Sequence, residues 1–510
     1  MSLLGIDIGT SGCKAIIFSR TGQVLSSEYR EYPLLHPVPG WSELDPELVI
    51  SFVKNAIKTA NQKIKKDRIK AFAVSCQGEA VIPVDRDGNS LYNAIVTFDS
   101  RTKEQCRFWE KTLGSSTIFK ITGMPLNPMY SINKIMWLKK HRRDIFVHAY
   151  KFLCFEDFLQ LKLGLEPSIS YSLAARTAAF DIVNKKWSEK ILKAAGIDEE
   201  MLSKPVEGAE ITGELSTKIC RKLDFEKKVI CAGGGHDQAC GAFGAGITGA
   251  GKAMHASGTS DTIIAVLHTP RLGRKMLLNN YPCAPYVMPG KYTILAFNLT
   301  GGLLLKWYRE VFCRQENESA LKDGKSVYKI IDENLSAGPV NIFILPHFVG
   351  SGTPWLDADS KGLIIGLDIE SGKPQISRAV FESNAYDLKL NIERIKKIGI
   401  KVDSIFAIGG GAKSRQWLKI KADVLNMDFV TLKSTEAPSL GAAMLAGIAA
   451  GQYSSYNEAA ETAVKTNEII KPSNNYNKLY SSRYRIYKKI YRINKELLHS
   501  ISGLSKSAVK

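Results

Sequence analysis

A short turn of glycine, threonine and serine occurs twice in this chain, each time between two apolar runs. The first copy occupies residues 9–11 after the apolar run 3–8, and the second occupies residues 258–260 after 253–257. Apolar runs on both sides of a tight turn predict a β-hairpin. The copies lie 249 positions apart in a chain of 510 residues. This spacing predicts two lobes of similar topology, each presenting a hairpin turn towards a shared cleft.

Helical and strand-like patterns alternate along much of the remaining sequence. Residues 45–66 have helical periodicity after a capping Asp-Pro pair and lead into a strand-like run at 71–75. Such alternation predicts the α/β class, with helices packed on mixed sheets. A glycine-rich segment at 230–251 is the predicted junction of the lobes. We therefore predict three parts: an N-terminal lobe at 1–247, a C-terminal lobe at 248–450 and a basic helical tail at 451–510.

The chain is strongly basic, with 69 Lys and Arg against 50 Asp and Glu and a formal net charge of +19. The tail holds 11 basic and 4 acidic residues, so +7 of this total lies there. Four tail tyrosines, Tyr480, Tyr484, Tyr487 and Tyr491, recur at the spacing of one helix face. This stripe favours a helix docked on the second lobe over a surface helix for membranes or nucleic acid. No basic block carries a nucleic-acid-reading motif, so no nucleic-acid partner is predicted.

The nine cysteines are an odd number and include no C-x-x-C pair, so neither a disulfide framework nor a zinc site is predicted. They are typical of reduced thiols. The start of the sequence has no basic leader, and no run reaches the roughly 18 apolar residues of a membrane span. We therefore expect a cytoplasmic protein without a membrane partner.

The two Gly-Thr-Ser turns are candidate sites for a polyphosphate. Backbone N–H groups in tight turns form concavities that bind anions, and hydroxyls such as that of Thr10 add donors. Lys14 follows the first turn and either neutralises phosphate charge or is only solvated. Asp7 precedes the first turn, whereas Ala256 stands at that place in the second copy. A single carboxylate beside phosphates suits Mg²⁺, which takes one or two carboxylates together with water and phosphate oxygens.

Asp237 is the second candidate carboxylate, because neighbouring glycines leave room for a ligand around it. Two compatible interpretations remain open: a functional carboxylate, or the N-cap of the following helix. A helix N-terminus aimed into the cleft would also favour negative charge there, including a phosphoryl group in transfer.

Other glycine patterns differ in strength. The spacing of Gly244, Gly246 and Gly249 fits a dinucleotide fingerprint, but the required order of strand and helix is reversed here. A P-loop is excluded at 246–252, since alanine follows the lysine where serine or threonine is needed. The three glycines at 409–411 lie between a strand and a helix, where backbone can lie flat against a ring.

Two long, independent patterns identify a family. Residues 129–141 (MYSINKIMWLKKH) meet one signature, and residues 362–367 (GLIIGL), followed at the right interval by 375–382 (QISRAVFE), meet another. Through them the chain resembles the FGGY family of carbohydrate kinases over almost its whole length. The resemblance implies an α/β fold of two ribonuclease H-like lobes, as in the actin and hexokinase superfamily. It also implies ATP-dependent phosphorylation of a small carbohydrate, with Mg²⁺.

The resemblance further implies roles for single residues. Asp237 falls on the family's catalytic base, which would accept the proton of the sugar hydroxyl. Asp7 and Asp237 would hold the Mg²⁺ ion, Asp7 largely through water. The residues implied to bind ATP are Asp7, Gly9, Thr10, Ser11, Lys14, Gly258, Thr259, Gly302, Gly410 and Gly411.

The substrate positions depart from those of better-known members of the family. After the strand ending at Ser75, glycerol kinases have Arg-Glu and xylulose kinases Met-His, whereas this chain has Gly78 and Glu79. The loop at 97–101 resembles the Trp-x-Asp-x-Arg loop of pentulose kinases without its tryptophan. Glycerol is therefore disfavoured, and the predicted substrate is a ketose, a sugar acid or a polyol. The predicted sugar contacts are Gln77, Glu79, Asp99, Asp237 and Gln238, where Asp99 either binds hydroxyls or pairs only with Arg101.

Two other functions remain open from the sequence. A sugar-independent ATPase of the same superfamily, chaperone-like or an activator, would keep the phosphate turns, although Glu79 and Asp99 weigh against it. A nucleic-acid-binding protein is motivated by net charge alone. The sequence also leaves open the exact sugar, the oligomeric state, with a homodimer as one option, and the roles of His236 and Arg415.

Overall fold

The computed structural model describes residues 2–64, 69–322, 324 and 326–507. Within these ranges the strands form two large sheets and several short ribbons. The strands of the first half are β1 (Ser2–Ile8), β2 (Gly12–Phe18), β3 (Val24–Glu31), β4 (Glu43–Leu44), β5 (Ile69–Cys76), β6 (Ile82–Val84), β7 (Ala94–Ile95), β8 (Lys151–Leu153), β9 (Ser168–Ser170), β10 (Phe180–Asp181), β11 (Lys186–Trp187), β12 (Lys204–Val206), β13 (Ile211–Glu214) and β14 (Ile230–His236). Those of the second half are β15 (Gly251–Ser257), β16 (Asp261–Leu267), β17 (Cys283–Pro285), β18 (Tyr292–Asn298), β19 (Phe343–Leu345), β20 (Leu363–Ile365), β21 (Val402–Ile408), β22 (Asp428–Leu432) and β23 (Thr466–Ile470).

Helices alternate with these strands in both halves. In the first half they are α1 (Pro46–Gln62), α2 (Lys103–Thr112), α3 (Ser115–Thr122), α4 (Ser131–His141), α5 (Arg143–His148), α6 (Phe155–Lys162), α7 (Tyr171–Ala174), α8 (Glu189–Ala195), α9 (Thr217–Lys222) and α10 (Asp237–Gly244). In the second half they are α11 (Arg274–Leu278), α12 (Gly302–Phe312), α13 (Arg314–Lys322), α14 (Val327–Glu333), α15 (Lys373–Lys397), α16 (Arg415–Leu425), α17 (Ala437–Ala449), α18 (Tyr456–Ala463) and α19 (Asn477–Ser507).

The two large sheets share one core topology. The first has the strand order β13-β14-β5-β1-β2-β3, and the second has β17-β18-β16-β15-β21-β22-β23. In the first sheet β1 pairs antiparallel with β2 and parallel with β5, and in the second β15 pairs antiparallel with β16 and parallel with β21. The next strands outward repeat the match, with β3 and β18 antiparallel and β14 and β22 parallel. The predicted α/β fold with two lobes of similar topology is confirmed.

Both predicted hairpins form at the repeated turns. In the first, Ile8 pairs with Cys13 across the turn, and in the second Ser257 pairs with Asp261. The strands behind these turns are buried, whereas Ser11 at one tip is exposed to solvent. Each turn therefore presents its backbone at the end of a rigid, buried hairpin.

Helices α10 and α17 lie between the two sheets. Although α17 comes from the second half of the chain, it packs on β1, β5 and β14, while α10 packs on α17 and also touches β15 and β16. Small residues allow this close approach. A Cβ atom at Gly5 would lie 1.8 Å from the carbonyl oxygen of Ser439, and one at Gly441 would lie 2.0 Å from that of Cys240. The glycines thus let the two helices and the first sheet share one dense interior.

The C-terminal helix α19 docks through its tyrosine face. Tyr480, Tyr484, Tyr487 and Tyr491 are all buried, and they pack towards α15. The Tyr480 hydroxyl accepts a hydrogen bond from Arg378 at 2.7 Å. Among the helices that the structure describes, none combines the length and the apolar composition needed to cross a lipid bilayer.

Candidate active site

The first hairpin turn is held by its neighbours. The Gly9 N–H donates to the Gly12 carbonyl at 3.0 Å, which closes the turn. The Gly9 carbonyl in turn accepts hydrogen bonds from the Tyr32 hydroxyl at 2.6 Å and from the Gln77 amide at 3.0 Å. The Thr10 hydroxyl donates to the other end of that amide at 3.4 Å. Gln77, predicted as a sugar contact, therefore has both ends of its amide at the first hairpin turn, and its contact with a sugar stays a prediction.

The second turn is attached to the start of α12. The Gly258 N–H donates to the Ser260 carbonyl at 3.0 Å, and the Gly302 N–H donates to the Gly258 carbonyl at 2.7 Å. The Thr259 carbonyl accepts from the Gly301 N–H at 2.9 Å. A helix N-terminus next to an exposed turn favours bound anions, because unpaired N–H groups and the helix dipole both carry positive charge.

The three glycines at 409–411 pack against this second turn. Gly409 has φ = 80°, which favours glycine, and a Cβ atom there would lie 2.7 Å from the carbonyl oxygen of Ser257. A short 3-10 helix, Gly410–Lys413, follows directly. The structure thus brings together the predicted nucleotide residues of the second half: Gly258, Thr259, Gly302, Gly410 and Gly411.

A buried charge cluster lies behind the second turn. Lys421 on α16 and Asp261 on β16 are both buried, with 3.8 Å between Nζ and Oδ2. Ser257 donates to Asp261 at 2.7 Å and is itself 3.3 Å from the Lys421 ammonium. Burial by itself raises the pKa of Asp261, but Lys421 and His255 outweigh it, and the pKa falls to about 2. The cluster fixes Ser257, against which the glycine loop packs.

Asp7 lies on β1 immediately before the first turn. Its Oδ1 accepts a hydrogen bond from the Ser75 hydroxyl on β5 at 2.7 Å. Burial raises the pKa of Asp7 to about 6, although Ser75 and Lys14 lower it. Lys14 Nζ lies 2.5 Å from Oε2 of Glu436, the residue that precedes α17. The lysine predicted to neutralise phosphate is therefore already paired with a carboxylate from the other half of the chain.

Asp237 is the first residue of α10, and His236 occupies the N-cap position. The Asp237 Oδ1 accepts from the Gln238 N–H at 2.6 Å and lies 3.1 Å from Nε2 of His236. Burial, together with the charge of Asp7, raises the pKa of Asp237 to about 7. Burial also lowers the pKa of His236 to about 3, so this imidazole is neutral at pH 7. Because 29 % of the Asp237 side chain is exposed, a small ligand can reach it.

Gln238 has an unsatisfied acceptor beside this carboxylate. Its Oε1 is buried and makes no hydrogen bond to any residue that the structure describes. A buried oxygen without a donor costs free energy, so such an atom marks a place for a ligand donor. A hydroxyl group next to Asp237 would supply it.

Glu79 is held in an uncommon conformation. It has φ = 62°, a left-handed value that is rare outside glycine and typical of functional positions. Nε and Nη2 of buried Arg176 both donate to its carboxylate. The missing side chain at Gly78 makes room for this partner, since a Cβ atom there would lie 3.0 Å from the His236 ring and 3.4 Å from Arg176. Burial raises the pKa of Glu79, but the Arg176 charge outweighs it and holds the pKa below its usual value.

The lysine of the 129–141 signature supports Glu79 from behind. Lys134 is fully buried on α4, and its ammonium donates to the carbonyl oxygens of Glu79 at 2.6 Å and Val96 at 3.0 Å. Burial lowers its pKa to about 7. The signature residue thus positions the backbone at the predicted sugar contact.

Asp99 pairs with Arg101, which is the second of the two alternatives drawn from the sequence. Its Oδ2 lies 2.6 Å from the guanidinium and also accepts from the Ser42 N–H at 2.8 Å. The guanidinium lies 3.7 Å from the centre of the Trp41 ring. Because both oxygens of Asp99 are engaged, its contact with a sugar stays a prediction. Arg415 lies on the surface, paired with Glu468 at 2.8 Å.

Sequence reasoning missed Arg176, Lys421 and Glu436. Arg176 had a usable signal, since it is the single charge in the apolar run 173–180 (LAARTAAF). Lys421 and Glu436 had none, because both lie in ordinary helical or loop sequence whose partners are far away along the chain.

The donor set fits a magnesium ion held mainly by phosphates. Among the described residues, no group of three or more His, Cys, Asp and Glu side chains could hold a metal ion. Asp7 and Asp237 remain as the two candidate carboxylates. Two carboxylates with water and phosphate oxygens are what Mg²⁺ commonly takes in proteins, so the residues present fit this ion.

Comparison with known proteins decides the family. The N-terminal domain of the FGGY family of carbohydrate kinases matches residues 2–244, and the C-terminal domain of that family matches residues 253–450. The chain belongs to this family. It is therefore a carbohydrate kinase, and its reaction is ATP-dependent phosphorylation of a small sugar.

Relatives align with this kinase over nearly its whole length. It is 29 % identical over 490 residues to a xylulose kinase of Staphylococcus xylosus, which covers 96 % of this chain and 99 % of that protein. A gluconokinase of Bacillus subtilis (strain 168) is 27 % identical over 464 residues, 90 % of each chain. The crystal structure of a xylulose kinase from Brucella ovis superposes with a TM-score of 0.88 at 26 % identity, over 98 % of this chain and 100 % of the other. The predicted fold of two ribonuclease H-like lobes is confirmed.

Proposed function

We propose that this kinase transfers the γ-phosphoryl group of ATP to a hydroxyl of a ketose, sugar acid or polyol, with Asp237 as the general base. The observation that carries the proposal is the pair formed by the Asp237 carboxylate and the unsatisfied Oε1 of Gln238 at the start of α10. The Asp237 carboxylate accepts the proton of the reacting hydroxyl, and the Gln238 Oε1 accepts a hydrogen bond from a neighbouring hydroxyl and so orients the sugar.

Phosphoryl transfer needs alignment and charge stabilisation more than covalent chemistry from the protein. The ionised Asp237 carboxylate takes the proton as the sugar oxygen forms its bond to the γ-phosphorus, while the bond from that phosphorus to the bridging oxygen breaks and ADP leaves with the oxygen. Neutral His236, 3.1 Å away, limits the space around that carboxylate without adding positive charge. The N-terminus of α10 points its dipole at the same place and favours the negative charge of the group in transfer.

The nucleotide is proposed to lie along both hairpin turns. The first turn and Lys14 would bind phosphates through backbone N–H groups, the hydroxyls of Thr10 and Ser11 and the lysine ammonium. The second turn, with Gly302, Gly410 and Gly411, would bind the remaining phosphates and the adenosine. Asp7 and Asp237 would hold Mg²⁺, which when bound neutralises phosphate charge.

The sugar pocket is proposed to consist of Glu79, Arg176 and Gln238, with Gln77 and Asp99 as further predicted contacts. Ionised Glu79 balances the charge of Arg176, and Asp237 adds a negative charge. This balance favours an uncharged ketose or polyol over a sugar acid, because an added carboxylate would meet Asp237, and Arg176, the cation of the proposed pocket, is already paired with Glu79. Because relatives are named xylulose kinase and gluconokinase, both ketoses and sugar acids are included among the substrates to be tested.

The substrate class is tested by measuring ATP consumption against a panel of pentuloses, hexuloses, aldonates and polyols with Mg²⁺ present. We expect turnover to depend on the added carbohydrate and to be highest with a ketose or polyol. ATP turnover of equal size without any carbohydrate would contradict the kinase assignment and support the ATPase alternative.

The base is tested with Asp237→Asn. We expect kcat/KM for the sugar to fall by at least about 10² while nucleotide binding stays nearly intact, because the amide cannot accept the hydroxyl proton. Asp403→Asn is the matched control, since that carboxylate is exposed and pairs only with Lys401 at 3.0 Å among the described residues. Full activity of Asp237→Asn would overturn the assignment.

A further inference from the structure

A large open cavity lies on the outer surface of the second lobe, apart from the residues of the candidate active site. It has a volume of about 940 Å³ and is walled by α11, the C-terminal part of α15, the loop at Trp355 and α19. Small-molecule sites commonly have roughly 300–1,000 Å³, so the cavity has the size of a metabolite site. We refer to it as the basic groove.

The charge of the basic groove is strongly one-sided. Lysines and arginines line it from three helices, and Glu393 is its single acidic residue. Helix α19 contributes Arg485, Lys488, Lys489 and Arg492, while α15 contributes Arg394 and Lys397 and α11 contributes Lys275. Seven positive charges against one negative charge give the lining a formal charge of +6. Four of the 11 basic residues of the tail lie on this concave wall.

Most of these charges have no counter-ion among the residues that the structure describes. Lys488 lies 3.6 Å from Glu393, which is a weak pair. Within the described part of the chain, the side chains of Lys275, Lys397, Arg485 and Lys489 make no ion pair. Like charges held around one cavity repel each other, and a bound anion removes that repulsion.

One lining residue of the groove, Trp355, lies close to two guanidinium groups. The guanidinium of Arg394 lies 4.6 Å from the centre of the Trp355 ring, and that of Arg492 lies 5.4 Å from it. Arg394 also donates to the Asn279 side chain at 2.6 Å, which fixes its orientation. Burial lowers the pKa of Arg394, and Arg492 lowers it further. Fixed, planar guanidinium groups suit phosphate oxygens, which they bind through two parallel hydrogen bonds.

We propose that the basic groove binds a small molecule that carries two or more phosphate groups, at a site distinct from the nucleotide and sugar sites. Its volume exceeds that of a single phosphate, and its excess charge exceeds what one phosphate neutralises. The concave shape favours a small molecule over a duplex or a flat membrane, and a second copy of this chain would bring like charges together. The proposal does not depend on the assignments in the kinase reaction.

Calorimetric titration of the full protein, saturated with Mg-ADP to occupy the nucleotide site, tests the proposal at 150 mM salt. The probes are inorganic phosphate, pyrophosphate and 2,3-bisphosphoglycerate. We expect one binding event for the two larger probes, at least about tenfold tighter than for inorganic phosphate, since each charged hydrogen bond adds to affinity. The two larger probes separate inorganic from organic phosphate sources. Failure of both to bind would overturn the proposal.

The groove variant is the triple change Arg485→Gln, Lys489→Gln and Arg492→Gln. The matched control, Lys471→Gln, Lys478→Gln and Lys495→Gln, removes the same charge from exposed positions outside the groove. We expect affinity to fall at least about tenfold in the groove variant and to stay within about twofold in the control. An equal loss of affinity in the groove variant and in the control would show that binding depends only on the overall positive charge of the protein, and it would overturn the proposed site.

A second variant, Lys275→Gln with Lys397→Gln, tests the opposite wall and protects the result against a folding defect in α19. It should also lower the affinity for pyrophosphate and for 2,3-bisphosphoglycerate. Kinase turnover without any probe should stay at the native level in this variant and in the groove variant. Groove-dependent binding of duplex DNA or of anionic lipid vesicles, without binding of either small polyanion, would also overturn the proposal.

Discussion

Asp237 is proposed to carry the chemistry of the site, and its ionisation depends on a neighbour. Burial and the charge of Asp7 together bring its pKa to about 7, whereas an exposed aspartate titrates near pH 3.9. A base with a pKa near the working pH both accepts a proton readily and is partly ionised before the substrate arrives. The same two carboxylates are the proposed metal ligands, so metal and proton compete for them.

We expect the Asp237 carboxyl to titrate near pH 7 in the protein without metal and nucleotide, because burial and the charge of Asp7 both raise its pKa. Titration followed by carbon NMR measures this pKa, and in Asp7→Asn it should move down. Bound Mg²⁺ favours the ionised carboxylate, so at saturating Mg-ATP the acid limb of kcat/KM for the sugar should lie below pH 7. A pKa of Asp237 near 4 in the metal-free protein would contradict the assigned environment.

Glu79 is the residue at which we expect a substitution to weaken sugar binding without weakening ATP binding. Glu79→Gln should raise the KM for the sugar about tenfold or more while the KM for ATP stays within about twofold, because a buried charged hydrogen bond to Arg176 is removed at the pocket only. Initial rates with each substrate varied in turn measure both constants. Glu461→Gln is the control, because it makes the same change from glutamate to glutamine at an exposed position outside the candidate active site. Equal changes in both KM values would indicate a general structural defect instead.

The helix pair α10 and α17 shows how packing of two elements positions the site. Asp237 begins α10, and Glu436, the partner of Lys14, immediately precedes α17. Their spacing therefore fixes two groups at the candidate active site at once. That spacing depends on glycines that let backbone meet backbone.

Gly5→Ala tests this packing. A Cβ atom there would lie 1.8 Å from the Ser439 carbonyl oxygen, so we expect a loss of at least about 3 kcal/mol in the free energy of unfolding, measured by urea denaturation. Gly249→Ala is the control, because a Cβ atom at Gly249 meets no heavy atom of the described residues within 4 Å. Native stability of Gly5→Ala would mean that the helix moves freely against the sheet.

Several buried carboxyl groups across the molecule have a raised pKa, because burial penalises their charged form. Burial raises the pKa of Glu156 to about 7, of Asp157 to about 8 and of Asp387 to about 7, in addition to Asp7 and Asp237. Between about pH 4 and 7 the folded state therefore holds more protons on these groups than the unfolded state does. Stability falls with rising pH in that window. Burial lowers the pKa of His236, His255 and His347, which act in the opposite direction, but these three are fewer than the five carboxyl groups.

We expect the free energy of unfolding of the ligand-free protein to decrease from about pH 5 to pH 7, measured by urea denaturation at several pH values. Asp387→Asn should flatten this dependence, because the variant cannot take up that proton, whereas Asp403→Asn at the surface should not. A stability that rises steadily over the same window would contradict the predicted balance. Mg-ATP should reduce the difference in the free energy of unfolding between pH 5 and pH 7, since it binds the site with its carboxylates ionised.

The duplicated α/β fold, the two hairpin turns and the family could be predicted from the sequence, because turn chemistry, strand pattern and signature spacing lie in short, contiguous stretches. Asp237 at the start of a helix and Asp7 near the end of a strand were predicted in the same way. The pairing of Arg176 with Glu79 across 97 positions, and of Lys14 with Glu436 across 422, is visible only in the folded molecule. The same holds for Gln77 at the first hairpin turn and for the choice of Arg101 as the partner of Asp99. Burial and distant ion pairs depend on how the two halves pack, and no local pattern contains that packing.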